Sequence, residues 1–338
     1  MRTLTKGIVA GLLLGAMVAP AVAQDRIVKV DGSSTVAPIS EAAAESFQQK
    51  NKGTKVTVGT SGTGGGFKKF VRGETDISNA SRPISKSEME DAKKNGIEYI
   101  ELPIAFDALT VVVHKDNTWA TSMTVDELKM LWEPGAQGKI TKWNQIRKDW
   151  PDAEIKLFGA GTDSGTFDYF TEAVVGKAKS SRGDYTASED DHVLVRGVEG
   201  NKNSLGYFGM AYFIPHKDKM KAVKIDWIKD GKSVTGGPIE PSEANVIAGK
   251  YSPLSRPLFI YVNRKSAETK PDVRAFVDYY VANASKLAAE VKYVPLPSET
   301  YSLVKARWGK MVKGTVFHGE SAVGLRLDDV MKKEEGGK

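Results

Sequence analysis

The stretch Asp31-Gly32-Ser33-Ser34-Thr35-Val36-Ala37-Pro38-Ile39 joins a short β-branched run, Ile27–Val30, to a helical pattern. Beyond it Val36, Ile39, Ala43 and Phe47 recur at spacings of three and four, one apolar face of an amphipathic helix. Pro38 suits the first helical turn, where its missing N–H costs nothing, and Ser34 or Thr35 is placed to cap it. Strand, polar loop and helix thus follow one another within about twenty residues. The same unit then repeats. Lys55–Val58 predicts a second strand, Gly59 to Gly66 a glycine-rich loop, and Phe67–Val71 the start of a helix. Asp76–Ala80 predicts a third strand, running into Ser81-Arg82-Pro83, and Ser85-Lys86-Ser87-Glu88 reads as a capping box. Repetition of this kind predicts an α/β fold, a parallel or mixed sheet covered by helices, with ligands at the carboxyl ends of the strands.

Two longer apolar strands, Ile104–Val113 and Leu258–Val262, bracket a block with its own strand–loop–helix unit: Ile155–Phe158, Gly159 to Thr166, Phe167–Val175. A helix over Asp272–Leu287 and a closing tail follow. We read the block as an inserted domain and the two apolar strands as crossings, giving two α/β lobes with a cleft between them. Lobe I comprises residues 24–108 and 257–338, lobe II residues 109–256. A single three-layer domain would give similar periodicity.

Composition narrows the chemistry. The 338 residues are 41% hydrophobic and 27% charged, which is globular rather than disordered, and long enough for a large core without staples. Absence of cysteine excludes disulfide scaffolds, thiolate metal sites and cysteine nucleophiles. Residues 1–23 read as an export leader: Arg2 and Lys6 precede an uncharged run from Ile8 to Ala19, and Ala21-Val22-Ala23 supplies small residues for cleavage before Gln24. An uncleaved anchor is the alternative. The expected location is the periplasm. The excess of basic residues, +6 in all, falls to +4 once Arg2 and Lys6 are removed. The lysines are dispersed among acids, so no nucleic-acid surface is expected.

Three loops share one chemistry: Ser33-Ser34-Thr35, Ser61 to Gly66, and Asp163-Ser164-Gly165-Thr166. Each combines hydroxyls with glycine and each precedes a helix. A helix start offers unbonded N–H groups and the positive end of the dipole, glycine lets backbone approach an anion, and hydroxyls donate further bonds. Three such loops facing one point would hold a small tetrahedral oxyanion. Any one alone is simply an N-cap. No Gly-Lys-Ser/Thr follows the glycine run, which excludes a P-loop. Asp163-Ser164-Gly165 also resembles a serine-hydrolase nucleophile, but His114, His192, His216 and His318 are scattered, with neither triad nor metal-ligand spacing. Neither metal nor cofactor is expected. Arg82 is either a surface or ion-paired arginine or a bidentate fork for an oxyanion.

Asp31 to Ile39, Asp76-Ile77-Ser78-Asn79-Ala80-Ser81-Arg82-Pro83-Ile84 and Gly161-Thr162-Asp163-Ser164-Gly165-Thr166-Phe167 together resemble the periplasmic phosphate-binding proteins of high-affinity phosphate ABC transporters. The resemblance runs through the whole chain after the leader. It implies a type II periplasmic-binding-protein fold, two lobes joined by hinge crossings and closing on one phosphate, and a non-enzymatic, monomeric receptor that delivers phosphate to a membrane permease. It implies hydroxyl donors at Ser34, Thr35, Ser61, Thr63, Ser164 and Thr166, and backbone donors at Val36 and Gly165. The sequence departs from some members, which carry an aspartate where this chain has Ser81 and an arginine where it has Ala160. Arg82 is the expected substitute for the charge, and Ser81 or Asp163 for the proton acceptor. Another tetrahedral oxyanion, sulfate or molybdate, is the alternative ligand; a serine hydrolase or phosphatase using Ser164 is the rival activity.

Overall fold

The computed structural model describes residues 26–162, 164–188, 190–320 and 325–336. The leader assigned to residues 1–23 and the site residue Asp163 lie outside the described residues. No described helix is long and apolar enough to cross a membrane.

One nine-stranded sheet runs through the molecule. Its strands are β1 (Arg26–Gly32), β2 (Thr54–Gly59), β3 (Ile77–Ala80), β4 (Tyr99–His114), β5 (Lys156–Ala160), β6 (Thr186–Ser188), β7 (Ser204–Gly209), β8 (Met220–Ala222) and β9 (Ser255–Asn263). Their order is β2-β1-β3-β9-β4-β7-β5-β6, with β8 against the end of β4. β1 pairs in parallel with β2 and β3, as strand–helix–strand units require. The crossing strands are antiparallel: β9 pairs with β3 on one side and with Tyr99–Ala108 of β4 on the other. At Leu109, β4 changes partner and pairs with β7. The two halves of the sheet therefore share β4, and the chain returns through β9. This is the two-lobed architecture with crossings that the alternation of elements predicts.

Both crossing strands are buried along nearly their whole length, which is why they read as continuous apolar runs rather than alternating ones. Helices cover the sheet: α1 (Ala37–Lys50), α2 (Thr63–Phe70), α3 (Lys86–Lys94), α4 (Gly165–Phe170), α5 (Asp191–Glu199) and α6 (Pro271–Glu290). Ile39, Ala43 and Phe47 of α1 are all buried, and Phe47 meets Phe276 of α6 edge to face at 5.4 Å. Ser85 and Glu88 form the expected capping box at α3. One main core joins both halves, with a smaller cluster around Leu194, Val195 and Val198 under α5.

Candidate functional site

The first loop leaves β1 at Gly32 and enters α1. Ser33 donates its N–H to Asn79 O at 2.9 Å, and its carbonyl accepts the N–H groups of Val36 and Ala37 at 3.2 and 3.0 Å. Val36 is the N-cap residue, and no side chain caps the helix. The hydroxyls expected to cap α1, those of Ser34 and Thr35, remain available for another acceptor. Tyr293 fixes the loop from behind, donating its hydroxyl to Thr35 O at 2.8 Å.

In the second loop the helix starts earlier than the sequence suggests, at Thr63 rather than Phe67. The glycines form its first turn because Gly66 lies on β1, where a Cβ would stand 2.5 Å from Gly32 Cα. Gly62 turns the chain at φ +77° and provides no side-chain cap, so the N–H groups of the first turn open toward the loop. Ser61 turns its hydroxyl onto Asp31 and donates its N–H there as well, at 3.1 Å. Burial raises the Asp31 carboxyl, but Lys69 and Ser61 outweigh it and hold the group below its ordinary value. Thr63 Oγ1 accepts the Ser81 N–H at 3.2 Å and lies 3.0 Å from Ser81 Oγ, so the ends of β2 and β3 present neighbouring hydroxyls.

Arg82 extends along the cavity edge, with its fork on Glu88: two bonds of 2.8 Å, one from each terminal nitrogen. The side chain of Glu88 closes the α3 capping box as well. The guanidinium also covers the Phe67 ring at 5.5 Å. Its charge is balanced within the protein.

The third loop comes from the other half of the sheet. Ser164 caps α4 by accepting the Thr166 N–H at 3.2 Å. Gly165 is pressed against the first loop: a Cβ here would lie 2.4 Å from Thr35 Oγ1 and 2.7 Å from both Ser34 Oγ and Thr35 N. The two halves are closed on each other at this glycine. Two adjoining cavities meet there. One, of about 600 Å³, is lined by the first and second loops, Ser81, Arg82 and Gly165. The other, of about 380 Å³, is lined by Ser34, Thr35, Ser164, Gly165 and Thr166. Ser34, Thr35, Ser61, Thr63, Ser81, Arg82, Ser164, Gly165 and Thr166 are therefore brought together. Val36 is not: it is fully buried, and its N–H is held by Ser33.

Two residues at this place were not found from the sequence. Asp107 of β4 and Arg256 of β9 are cross-strand partners on the crossing strands. Asp107 lines the smaller cavity and Arg256 the larger. Arg256 reaches Thr35 Oγ1 at 3.3 Å and stacks on the Tyr169 ring at 3.4 Å. Burial pushes the Asp107 carboxyl up, against the pull of Arg256. The signal was present: a carboxylate inside the run Ile104–Val113, and an arginine just before Leu258–Val262, are charges where burial is expected.

The family model of the PBP superfamily domain matches residues 18–284. Protein SphX of Synechocystis is 49% identical over 336 residues, covering 99% of this chain and 98% of the relative. The phosphate-binding protein PstS of Staphylococcus saprophyticus is 39% identical over 277 residues, 81% of this chain and 82% of the relative. The crystal structure of a possible phosphate binding protein from Planctomyces limnophilus superposes with a TM-score of 0.78 at 48% identity, covering 85% of this chain and 99% of that one. The crossed two-lobed sheet agrees with these likenesses, and the chain belongs to the PBP superfamily, in the family that includes the phosphate-binding proteins PstS.

Proposed function

We propose that this chain is the substrate-binding component of a phosphate ABC transporter, capturing inorganic phosphate between its lobes and delivering it to a membrane permease. The observation that carries the reading is the closure at Gly165, where hydroxyl-bearing loops from both halves of the sheet surround one pair of adjoining cavities. The ligand set is Ser34, Thr35, Val36, Ser61, Thr63, Ser81, Arg82, Asp163, Ser164, Gly165 and Thr166. Val36, Ser61 and Arg82 would join it by exchanging their present partners, Ser33 O, Asp31 and Glu88. Hydrogen bonds to a charged group contribute about 1.5–3 kcal/mol each. Several of them, less the cost of dehydrating the anion and closing the cleft, suffice for micromolar binding or tighter, about −8 kcal/mol.

The lobes divide at residues 108/109 and 256/257, next to the point where β4 changes partner. An export leader over residues 1–23 places the protein in the periplasm, where it works as a monomer, without cofactor, metal or nucleic acid. The relatives named above for an activity are binding proteins, and the hydroxyl of Ser164 serves as a helix cap. The chain accordingly binds phosphate without chemical change. Titration calorimetry with inorganic phosphate is expected to give one site per chain, with sulfate and molybdate far weaker. Absence of heat at millimolar phosphate, or preference for sulfate, would overturn the reading.

A further inference from the structure

We propose that Arg256, on the crossing strand β9, is the cation that bound oxyanion oxygens meet, a role that rests on the phosphate reading above. Among the described residues three arginines are buried: Arg182, Arg256 and Arg307. Arg182 donates to Asp184 and to the carbonyls of Leu131 and Ile140, and Arg307 donates to the carbonyls of Glu101 and Gly314. Their guanidinium groups are structural, anchored by the backbone around them.

Arg256 differs. It is 8% exposed, yet among the described residues its hydrogen bond goes to a neutral hydroxyl, Thr35 Oγ1, at 3.3 Å. Among the described residues its nearest carboxylates are Asp107, 3.7 Å from Nε, and Glu172, 4.0 Å from Nη1, both beyond hydrogen-bond reach. Nε of Arg256 and Oδ2 of Asp107 are buried with no hydrogen-bond partner among the described residues. A buried guanidinium with spare donors has unmet demand for an anion, and its planar fork matches two oxygens of a tetrahedral oxyanion. Arg82, by contrast, has already given its fork to Glu88.

Position strengthens the assignment. Arg256 shares the larger cavity with Thr35, Thr63 and Gly165. It touches the first loop through Thr35, and in the other half it lies on Tyr169 of α4 with Glu172 beyond. An oxyanion held by this fork is therefore in contact with the crossing strand and with both walls at once. Stacking on Tyr169 keeps the fork in one plane while leaving its edge free.

The test compares Arg256→Gln, Arg256→Lys and the exposed control Arg72→Gln in the whole chain, with inorganic phosphate as probe. Affinity by calorimetry and the phosphate-induced rise in melting temperature are both read. Arg256→Gln is expected to weaken binding by about 100-fold, and Arg256→Lys, which keeps charge but not the fork, by about tenfold. Arg72→Gln, with the same loss of charge, is expected to bind within threefold of the parent. If Arg256→Gln does not fold, Arg256→Lys decides. Either variant binding within threefold of the parent, or a lowered melting point with an undiminished phosphate-induced rise, overturns the proposal. A parent chain that ignores phosphate fails the functional reading itself, and is thereby told apart from failure at Arg256.

Discussion

Replacing Gly165 with alanine tests whether binding depends on closure. Gly165 is the first residue of α4, and its φ is outside the positive region, so alanine carries no backbone strain there. The added methyl would stand 2.4 Å from Thr35 Oγ1, 2.7 Å from Ser34 Oγ and 2.7 Å from Thr35 N. Ordinary contact begins near about 3.5 Å, so the loops must separate by about 1 Å. Rotation of the two hydroxyls relieves part of the overlap, but the backbone nitrogen of Thr35 cannot rotate away. Overpacking of this size costs about 1–3 kcal/mol. Here the cost falls only on the closed arrangement, because the clashing atoms belong to opposite halves of the sheet. Affinity falls with the fraction of molecules able to close. Phosphate binding by Gly165→Ala is thus expected to weaken about 5- to 150-fold. The melting temperature without phosphate is expected to be preserved or slightly raised, alanine being the better helix former. Calorimetry measures the affinity, and small-angle scattering with and without phosphate measures compaction. Unchanged affinity together with unchanged compaction would refute the argument.

Gly66→Ala is expected to act on folding instead. Its methyl would lie 2.5 Å from Gly32 Cα and 3.1 Å from Asp31 O, within one half of the sheet. A loss of about 1–3 kcal/mol in urea unfolding is expected, and a variant as stable as the parent would show that α2 can shift on β1. Asp191 gives a pH signature: burial first, then Asp190 and Asp107, push its carboxyl up to about 6 from an ordinary 3.8. Its contribution to stability is fully present below about pH 4 and is lost as pH rises through about 6, a change of up to about 3 kcal/mol. Asp191→Asn is therefore expected to melt higher than the parent at pH 8 and alike at pH 3.5; equal melting at both would refute the shift.

Much of the fold was legible because local signals agreed with it. Pro38 and the apolar spacing of α1, the capping box at Ser85 and the β-branched run of β1 each specify their element without help from distant residues. Structure departs from the local signals where distant packing decides. β4 begins at Tyr99, not Ile104, because Glu101 is tolerated in a buried strand: Tyr261 and Thr315 donate hydroxyls to it and Val316 its N–H, at 2.5, 2.5 and 2.9 Å. Those donors lie more than 150 residues away, and no window along the chain could show them. The sequence predicts the helix after the third loop as one piece over Phe167–Val175. It is α-helical to Phe170 and then widens into a π turn over Thr171–Val175, where Thr171 Oγ1 bonds back to Phe167 O at 2.8 Å.

The site divides along the same line. The hydroxyl loops were visible because each is a local motif, a strand end followed by a helix start, and the three share one composition. Asp107 and Arg256 were not, because their meaning depends on register: two residues 149 positions apart become cross-strand partners only when β9 pairs with β4. Read along the chain, Arg82 had the better claim to be the site's cation, since it follows a strand end and neighbours Ser81. Glu88, six residues on, removes that advantage by taking both arms of its fork. Local sequence could locate a positive charge near the loops, but which arginine retains unpaired donors depends on what each finds after folding. The formal charge of +6 has no bearing on the choice. A surface lysine is screened by water and salt, whereas a guanidinium in a closed cleft acts through a low dielectric. One buried arginine on the crossing strand therefore outweighs the basic excess in deciding which ligand the cleft accepts.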